Sequence, residues 1–171
     1  MRQSRHYLQL AFFLVAIPIV ATVLFRYDIL SFLGQGPGLE LRVDLSARQL
    51  RVVEDGKTVQ TYPIAVGRPS NPTPTGRFRT GRIEWNPSWN PPNSAWARGM
   101  KPRAPGDPKN PMQGVKIYFR EPAYYIHGTN DPASIGQAAS RGCIRMTPGD
   151  ARALARRIQQ AGGSVPLIIS P

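Results

Sequence analysis

The sequence predicts a mainly β fold, either a sandwich or a partly open barrel, with one or two short helices. Apolar and polar residues alternate in several short stretches, which is the two-residue period of a strand with one buried face. These stretches are rich in β-branched and aromatic residues, which favour strands. The 16 glycines and 18 prolines among 171 residues are spread along the chain as turn signals rather than as repeats.

The first strands are predicted shortly after residue 38. The alternate apolar residues from Leu39 to Leu45 share one face of a strand. The stretch "RQLRVVEDGKTVQTYPIAV" that follows predicts a β-hairpin, which turns at Asp55-Gly56. This dipeptide favours the type I′ turn of a two-residue hairpin loop.

The remaining strands are predicted from short β-rich stretches further along the chain. "RFRTGRIEW" is expected to extend the sheet, and "VKIYF" (115–119), "YYIH" (124–127) and "VPLII" (165–169) are further candidates.

One long helix is predicted, from Thr147 to Gly162. Thr147 can cap it, Pro148 suits the first helical position, Asp150 makes the first turn acidic, and Gly162 ends it. The apolar face is predicted to contain Leu154, Ile158 and Ala161. A shorter helical turn is expected after Asp131, with that residue as its cap.

A long proline-rich loop from Trp85 to Asn110 separates two of these strands and contains all three tryptophans. A loop of this length inside a compact domain is usually functional or disordered, and tryptophan argues against disorder. We expect it to form a lid or a wall that contacts sugar or peptide. The alternative is that the rings simply cover one end of the sheet.

The N-terminal region predicts export. The stretch from Leu8 to Phe25 is nearly all apolar, and at about 1.5 Å per residue it just spans a bilayer core. Basic residues before it keep that end in the cytoplasm. The expected organisation is a cytoplasmic segment at 1–6, a transmembrane signal anchor (or a cleaved signal peptide) at 7–26, a linker at 27–38 and one domain at 39–171.

Since the bulky residues before Arg26 offer no cleavage site, an uncleaved anchor is favoured over a cleaved peptide. The predicted location is the cell envelope, with the helix in the inner membrane and the domain in the periplasm. If the segment is cleaved, the domain is secreted to the wall.

The formal net charge of +12 is carried mainly by arginines that are scattered along the chain. No zinc-finger spacing, basic helix or RNA-binding aromatic motif accompanies it, so a nucleic-acid partner is not predicted. The charge serves either solubility or attraction to an anionic cell wall.

The chain contains a single cysteine, Cys143, and two histidines, His6 and His127. In an oxidising compartment an unpaired cysteine is a candidate reactive thiol. A neighbouring imidazole can take its proton and form an ion pair, and only His127 lies in the predicted domain. One Cys and one His are too few to hold a metal ion. The alternative is an inert buried cysteine.

Glycines flank both residues. Gly142 allows a sharp turn before Cys143, so that the amides of these two residues can point at a developing oxyanion. Gly128 permits close approach beside His127.

Several motifs together resemble the L,D-transpeptidases of the YkuD type, which cross-link peptidoglycan. The strongest is "IHGT…GCIRM", which resembles the active-site signature of the family. "TPTGRF" (73–78), "WNPSW" and "PGDPKNPMQGVKIYF" are similar to three motifs upstream of it, in the same order. The resemblance covers roughly residues 39 to 170.

The resemblance implies a β-sandwich-like catalytic domain that uses no cofactor and no metal. Its donor and acceptor partners would be peptidoglycan stem peptides. Cys143 would attack the carbonyl of the third, L-configured centre of a tetrapeptide stem and release D-alanine. The resulting thioester would pass to an amine, either of a second stem (a 3-3 cross-link) or of a protein. His127 would be the general base and acid, oriented by a backbone carbonyl near Gly128.

The resemblance also suggests roles for the neighbours of the cysteine. Arg145 matches the arginine that follows the nucleophile, and it would bind a substrate carboxylate or hold the site together. Many members read S-H-G-C, whereas this chain has Arg141 in place of that histidine. Arg141 would favour the thiolate or be a plain solvated charge. Further candidates for substrate binding or support are Ser140, Trp85, Trp89 and Tyr125.

Two other functions fit the same sequence. Water can resolve the thioester, which makes the protein an L,D-carboxypeptidase or a hydrolase that releases wall-attached protein. Alternatively, the domain binds peptidoglycan without catalysis, through its basic surface and its tryptophans.

Overall fold

A computed structural model of the protein describes residues 38–171. The predicted membrane segment at 7–26 and nearly all of the predicted linker lie outside these residues. Within 38–171, none of the helices has the length and apolar character needed to cross a membrane. The described part is mainly β with few helices, as the sequence predicts.

The described residues form eleven strands, one α-helix and two short 3₁₀ turns. The strands are β1 (Glu40–Asp44), β2 (Gln49–Glu54), β3 (Lys57–Pro63), β4 (Val66–Gly67), β5 (Gly76–Arg79), β6 (Ile83–Trp85), β7 (Gln113–Arg120), β8 (Tyr124–Gly128), β9 (Ala138–Ser140), β10 (Ile144–Met146) and β11 (Pro166–Ser170). The helix α1 is Pro148–Gln160, and the 3₁₀ turns are Ala95–Ala97 and Pro132–Ser134.

The strands form two main sheets and one two-stranded pair. The larger sheet has the order β3-β2-β1-β11-β5, the second has the order β10-β8-β7-β6, and β4 pairs with β9. Most neighbours are antiparallel, but β1 with β11, β8 with β10 and β4 with β9 are parallel. The β1–β11 pairing joins the two ends of the domain.

One hydrophobic core is shared by both main sheets and α1. Side chains that are completely buried come from all three, and they include Leu41, Leu50 and Leu167, then Ile117, Ile126 and Ile144, and finally Leu154 and Ile158. The alternate residues of β1 that the sequence places on one face are the buried ones. Burial of this apolar surface is the main stabilising contribution.

The hairpin prediction is confirmed. Glu54 pairs with Lys57 across the turn, so the loop has two residues. Both have positive φ, 50° at Asp55 and 77° at Gly56, as a type I′ turn requires.

The cap of α1 is also as predicted: the Thr147 side chain accepts a hydrogen bond from the Asp150 amide at 3.1 Å. The prediction for Ala161 is wrong, because the helix ends at Gln160 and Ala161 is an exposed C-cap residue. A helical turn does follow Asp131, but its side chain makes no capping bond, and the backbone carbonyl accepts from Ser134 instead.

The stretch "RFRTGRIEW" does not extend one sheet. Its first half is β5 in the larger sheet, and its second half is β6 in the other. The change occurs at two adjacent amides: Thr80 N–H donates to the Val165 carbonyl at 2.9 Å, whereas Gly81 N–H donates to the Tyr118 carbonyl at 2.7 Å. The chain therefore passes from one sheet to the other at this point.

Candidate active site

Two adjacent parallel strands bring the cysteine and the histidine into one site. His127 lies in β8, and in the register of the second sheet it is the partner of Arg145 in β10. Cys143 directly precedes β10, so its thiol lies beside β8. The thiol donates to the Ala123 carbonyl, just before β8, at 3.4 Å.

Cys143 and His127 line the same cavity, whose volume is about 1080 Å³. Most of the other predicted site residues also line it, namely Arg145, Arg141, Ser140, Trp89 and Tyr125. Trp85 does not: it is 38% exposed at the end of β6. Of the predicted site residues, Gly128, Gly142 and Trp85 do not line the cavity.

His127 is buried and held in one orientation. Its Nδ1 lies 2.9 Å from the Gly128 carbonyl oxygen. Because a carbonyl only accepts hydrogen bonds, Nδ1 carries the proton and Nε2 is the basic nitrogen. Burial, with the nearby charges of Arg145 and Lys116, lowers the pKa of His127 to about 4. The imidazole is therefore neutral at pH 7.

Cys143 is partly exposed, and burial of its sulfur raises the pKa of the thiol. Hydrogen-bonding groups of Tyr125 and the charges of Arg145 and Lys116 oppose this rise. With the thiol pKa raised and the imidazole pKa lowered, both groups are neutral in the free protein. The thiolate–imidazolium ion pair expected from the sequence is therefore disfavoured in the free protein.

A tight turn positions the cysteine. The Ser140 hydroxyl donates to the Cys143 carbonyl at 2.5 Å and accepts from the Gly142 amide at 3.0 Å. Gly142 has φ of 104°, and a Cβ there would lie 2.8 Å from the Tyr124 ring. The Gly142 amide already donates to the Ser140 hydroxyl within the turn, so the prediction that it donates to an oxyanion is corrected. Only the Cys143 amide is retained as a candidate.

Gly128 follows His127 where β8 meets β7 and the start of α1. A Cβ at this position would lie 2.1 Å from the Gln113 carbonyl oxygen and 2.9 Å from Pro148 Cα. Only glycine fits such a close backbone contact. The end of the strand that carries His127 is thus packed against two other elements.

Arg145 is fixed through its backbone. Its amide and carbonyl each hydrogen-bond to Ala65 at 2.9 Å, and its side chain reaches the Ser134 hydroxyl at 3.5 Å. This arrangement places a half-buried guanidinium in the cavity beside both His127 and Cys143.

The proline-rich loop forms one wall of the cavity. Trp89 and Arg103 pair through their backbones at 2.8 and 2.9 Å. Asn110, which is buried, donates to the carbonyls of Pro87 and Ala104 and accepts from the Met112 amide. These bonds hold a long irregular segment in place.

Trp96 and Lys116 are two of the lining residues that the sequence-based predictions do not name as site residues. Trp96 contributes the ring on which the Arg141 guanidinium stacks, 3.8 Å from the centroid. Lys116 projects from β7 into the cavity. The sequence predicts that this loop forms a wall, but it contains no signal that shows which of the three tryptophans lines the cavity.

Within residues 38–171, no three Asp, Glu, His or Cys side chains cluster closely enough to hold a metal ion.

Comparisons with known proteins point to one family. A family model described as the L,D-transpeptidase catalytic domain, YkuD, matches residues 39–168. The chain is 38% identical over 115 residues to "Putative L,D-transpeptidase YkuD" of Bacillus licheniformis, covering 67% of this chain and 57% of that protein.

Solved structures show the same fold. An L,D-transpeptidase from Mycobacterium smegmatis superposes with a TM-score of 0.59 at 22% identity, covering 80% of this chain and 60% of that one. The structure of "LD transpeptidase LdtMt1 in complex with imipenem" gives a TM-score of 0.57 at 22% identity, covering 79% and 60%. The chain therefore spans less than two thirds of the length of each of these proteins.

Proposed function

Because the chain belongs to the YkuD family of L,D-transpeptidase catalytic domains, we propose that it is a peptidoglycan L,D-transpeptidase. The family resemblance drawn from its motifs is thereby confirmed. The observation that carries the proposal is that His127 in β8 and Cys143, directly before the neighbouring parallel strand β10, line one cavity.

In the first half of the proposed reaction, the Cys143 sulfur attacks the carbonyl of the L-configured third residue of a tetrapeptide stem. His127 Nε2 takes the thiol proton as the C–S bond forms. The Cys143 amide stabilises the oxyanion. The C–N bond then breaks, His127 returns the proton to the leaving amine, and D-alanine departs from a thioester.

In the second half, an amine acceptor attacks the thioester. Neutral His127 removes a proton from the attacking amine and returns it to the thiolate as the C–S bond breaks. An acceptor amine on a second stem produces a 3-3 cross-link, and one on a protein side chain produces attachment to the wall. The tied Nδ1 keeps Nε2 as the acting nitrogen throughout.

The acylation step is tested by intact-mass spectrometry after incubation with a disaccharide tetrapeptide. We expect an adduct on Cys143 equal to the donor less D-alanine, and none on the Cys143→Ala variant. A carbapenem provides a second probe, since imipenem is bound in the LdtMt1 structure. Equal turnover by the parent and by Cys143→Ala would exclude the proposed nucleophile.

The identity of the acceptor is tested by product analysis on purified stem peptides. A cross-linked dimer indicates transfer to an amine, whereas a trimmed monomer indicates transfer to water and therefore an L,D-carboxypeptidase. Binding to sacculi without either product would indicate a non-catalytic module.

We also propose that residues 7–26 anchor the protein in the inner membrane and that residues 39–171 act in the periplasm. The nearly all-apolar stretch from Leu8 to Phe25 and the basic residues before it support this proposal. Protease added to spheroplasts should digest the domain and leave cytoplasmic markers intact. Protection of the domain from this protease would contradict the proposal.

A further inference from the structure

The cavity is lined by more basic side chains than the carboxylates of the domain pair with. Six basic residues line it, namely Lys101, Arg103, Lys109, Lys116, Arg141 and Arg145, and none of its lining residues within 38–171 is Asp or Glu. Arg103 lies 3.5 Å from Asp107, and Lys116 lies 3.5 Å from Glu84. The other four have no carboxylate within 4 Å in the described part of the chain.

Of these six basic residues, Arg141 has the side chain that is best placed to bind an anion. It is exposed, and it lies two residues before Cys143. Its guanidinium stacks 3.8 Å above the ring of Trp96. Stacking uses the flat face of the guanidinium and leaves the N–H groups at its edge available, in the planar fork that matches a carboxylate.

The surroundings of Arg141 add a reason to bind an anion. Burial lowers the pKa of Arg141, and the nearby positive charges of Arg68 and Arg145 lower it further. Like charges placed together repel each other, and a bound carboxylate would relieve that repulsion. No hydrogen bond or ion pair inside residues 38–171 satisfies the Arg141 fork.

We propose that Arg141, positioned by Trp96, binds a carboxylate of the donor stem and makes the enzyme select stems with free carboxylates over amidated ones. This inference rests on the proposed function, because it names the property by which that site chooses its donor. Arg141 is then a specificity-determining residue, and Trp96 is its positioning residue. The tetrapeptide donor supplies the ligand, since its terminal alanine and acidic residues carry carboxylates.

The test compares a disaccharide tetrapeptide having free carboxylates with analogues amidated at one carboxylate at a time. The parent protein should use the free donor at least roughly tenfold better than the analogue amidated at the recognised position. Arg141→Gln should lose that preference, mainly through KM, by about 10- to 100-fold in kcat/KM. Trp96→Ala should lose part of the preference for the free donor.

Arg98→Gln is the matched control. Arg98 is an exposed arginine two residues after Trp96 on the same loop, and it does not line the cavity. It should retain the parent preference. Arg141→Lys should restore only part of the preference, because lysine keeps the charge and lacks the planar fork.

A binding measurement separates this inference from the proposed reaction. Calorimetry with the same donors on Cys143→Ala reports recognition without chemistry, and on Cys143→Ala combined with Arg141→Gln it isolates the arginine. If no donor acylates the parent protein, the proposed function fails, while the binding preference still decides the inference. An unchanged preference for the free donor in the Arg141→Gln proteins overturns it.

Discussion

His127 is a neutral base in a cationic cavity. The charges of Arg145 and Lys116 disfavour a second proton on the ring, and burial does so more strongly. In the proposed reaction, a neutral imidazole can accept the proton of the thiol, and its low pKa helps it to release that proton to the leaving amine. The same burial makes the fold sensitive to acid.

The first prediction is a loss of stability in acid that depends on His127. Its pKa is about 4 in the folded protein and about 6.5 in an unfolded chain. The unfolded chain therefore binds more protons in this window, so the free energy of unfolding falls as the pH drops from 6.5 to 4. The total loss is about 3 kcal/mol.

Denaturant unfolding between pH 7 and pH 4.5 checks this, with His127→Gln as the comparison. The stability advantage of the parent protein over the variant should shrink as the pH falls. A constant difference across that range would mean that His127 does not titrate differently on folding.

The second prediction concerns the thiol. The hydrogen-bonding groups of Tyr125 lower the pKa of Cys143, against the larger effect of burial. Burial raises the pKa of Tyr125 itself, so its hydroxyl stays protonated and can donate. Removing this hydroxyl in Tyr125→Phe should slow alkylation of Cys143 by iodoacetamide at pH 8 by roughly fivefold.

Because Cys143 is the single cysteine, the alkylation rate reports on it alone. Tyr62→Phe is the control: Tyr62 packs against the core and does not line the cavity. An equal rate for the parent and Tyr125→Phe would show that the hydroxyl leaves the thiolate unaffected.

At the scale of elements, the site depends on the contact between the ends of β7 and β8 and the start of α1. Gly128→Ala would push a Cβ into the Gln113 carbonyl oxygen of β7, so β8 would have to move away from β7. We expect a loss of about 3 kcal/mol in the free energy of unfolding. Carbapenem labelling of Cys143 should also slow, because His127 precedes this glycine.

Gly149→Ala is a matched control at the other side of this contact. Its Cβ would meet no atom closer than 3.9 Å, and alanine suits the first turn of a helix better than glycine. The free energy of unfolding should stay the same or rise by up to about 1 kcal/mol. Similar destabilisation by both substitutions would argue against the steric explanation.

Local signals in the sequence predict the elements better than their assembly. Asp55-Gly56 specifies its turn by backbone conformation alone, and Thr147 caps α1 through a hydrogen bond three residues away. The passage from one sheet to the other at Thr80 has no local signal, because distant strands provide the partners of the two amides.

Some residues of the candidate site can likewise be predicted from local sequence, and others cannot. Cys143 and His127 are predictable because Cys143 is the single cysteine of the chain and His127 the single histidine of the predicted domain. Trp96 and Lys116 are not, because their position in the cavity depends on how the loop and β7 meet the turn before β10.

At the scale of the whole molecule, every residue that lines the cavity lies between Asn71 and Arg145. Both ends of the predicted domain are held by the β1–β11 pairing. Residues 39–171 expressed alone should therefore unfold in one cooperative transition and react with a carbapenem at the rate of the full chain. A much slower reaction of the fragment would show that the preceding residues contribute to the site.

The parallel pairing of β8 with β10 has a consequence for control of the enzyme. The proposed base lies in β8, and the proposed nucleophile directly precedes the neighbouring strand β10 of the same hydrogen-bonded sheet, which shares its core with α1. The two residues are therefore expected to lose their relative position only when this sheet unfolds. During heating, residual activity should fall along the same curve as native structure, with no earlier inactivation step, as paired activity and circular dichroism measurements would show.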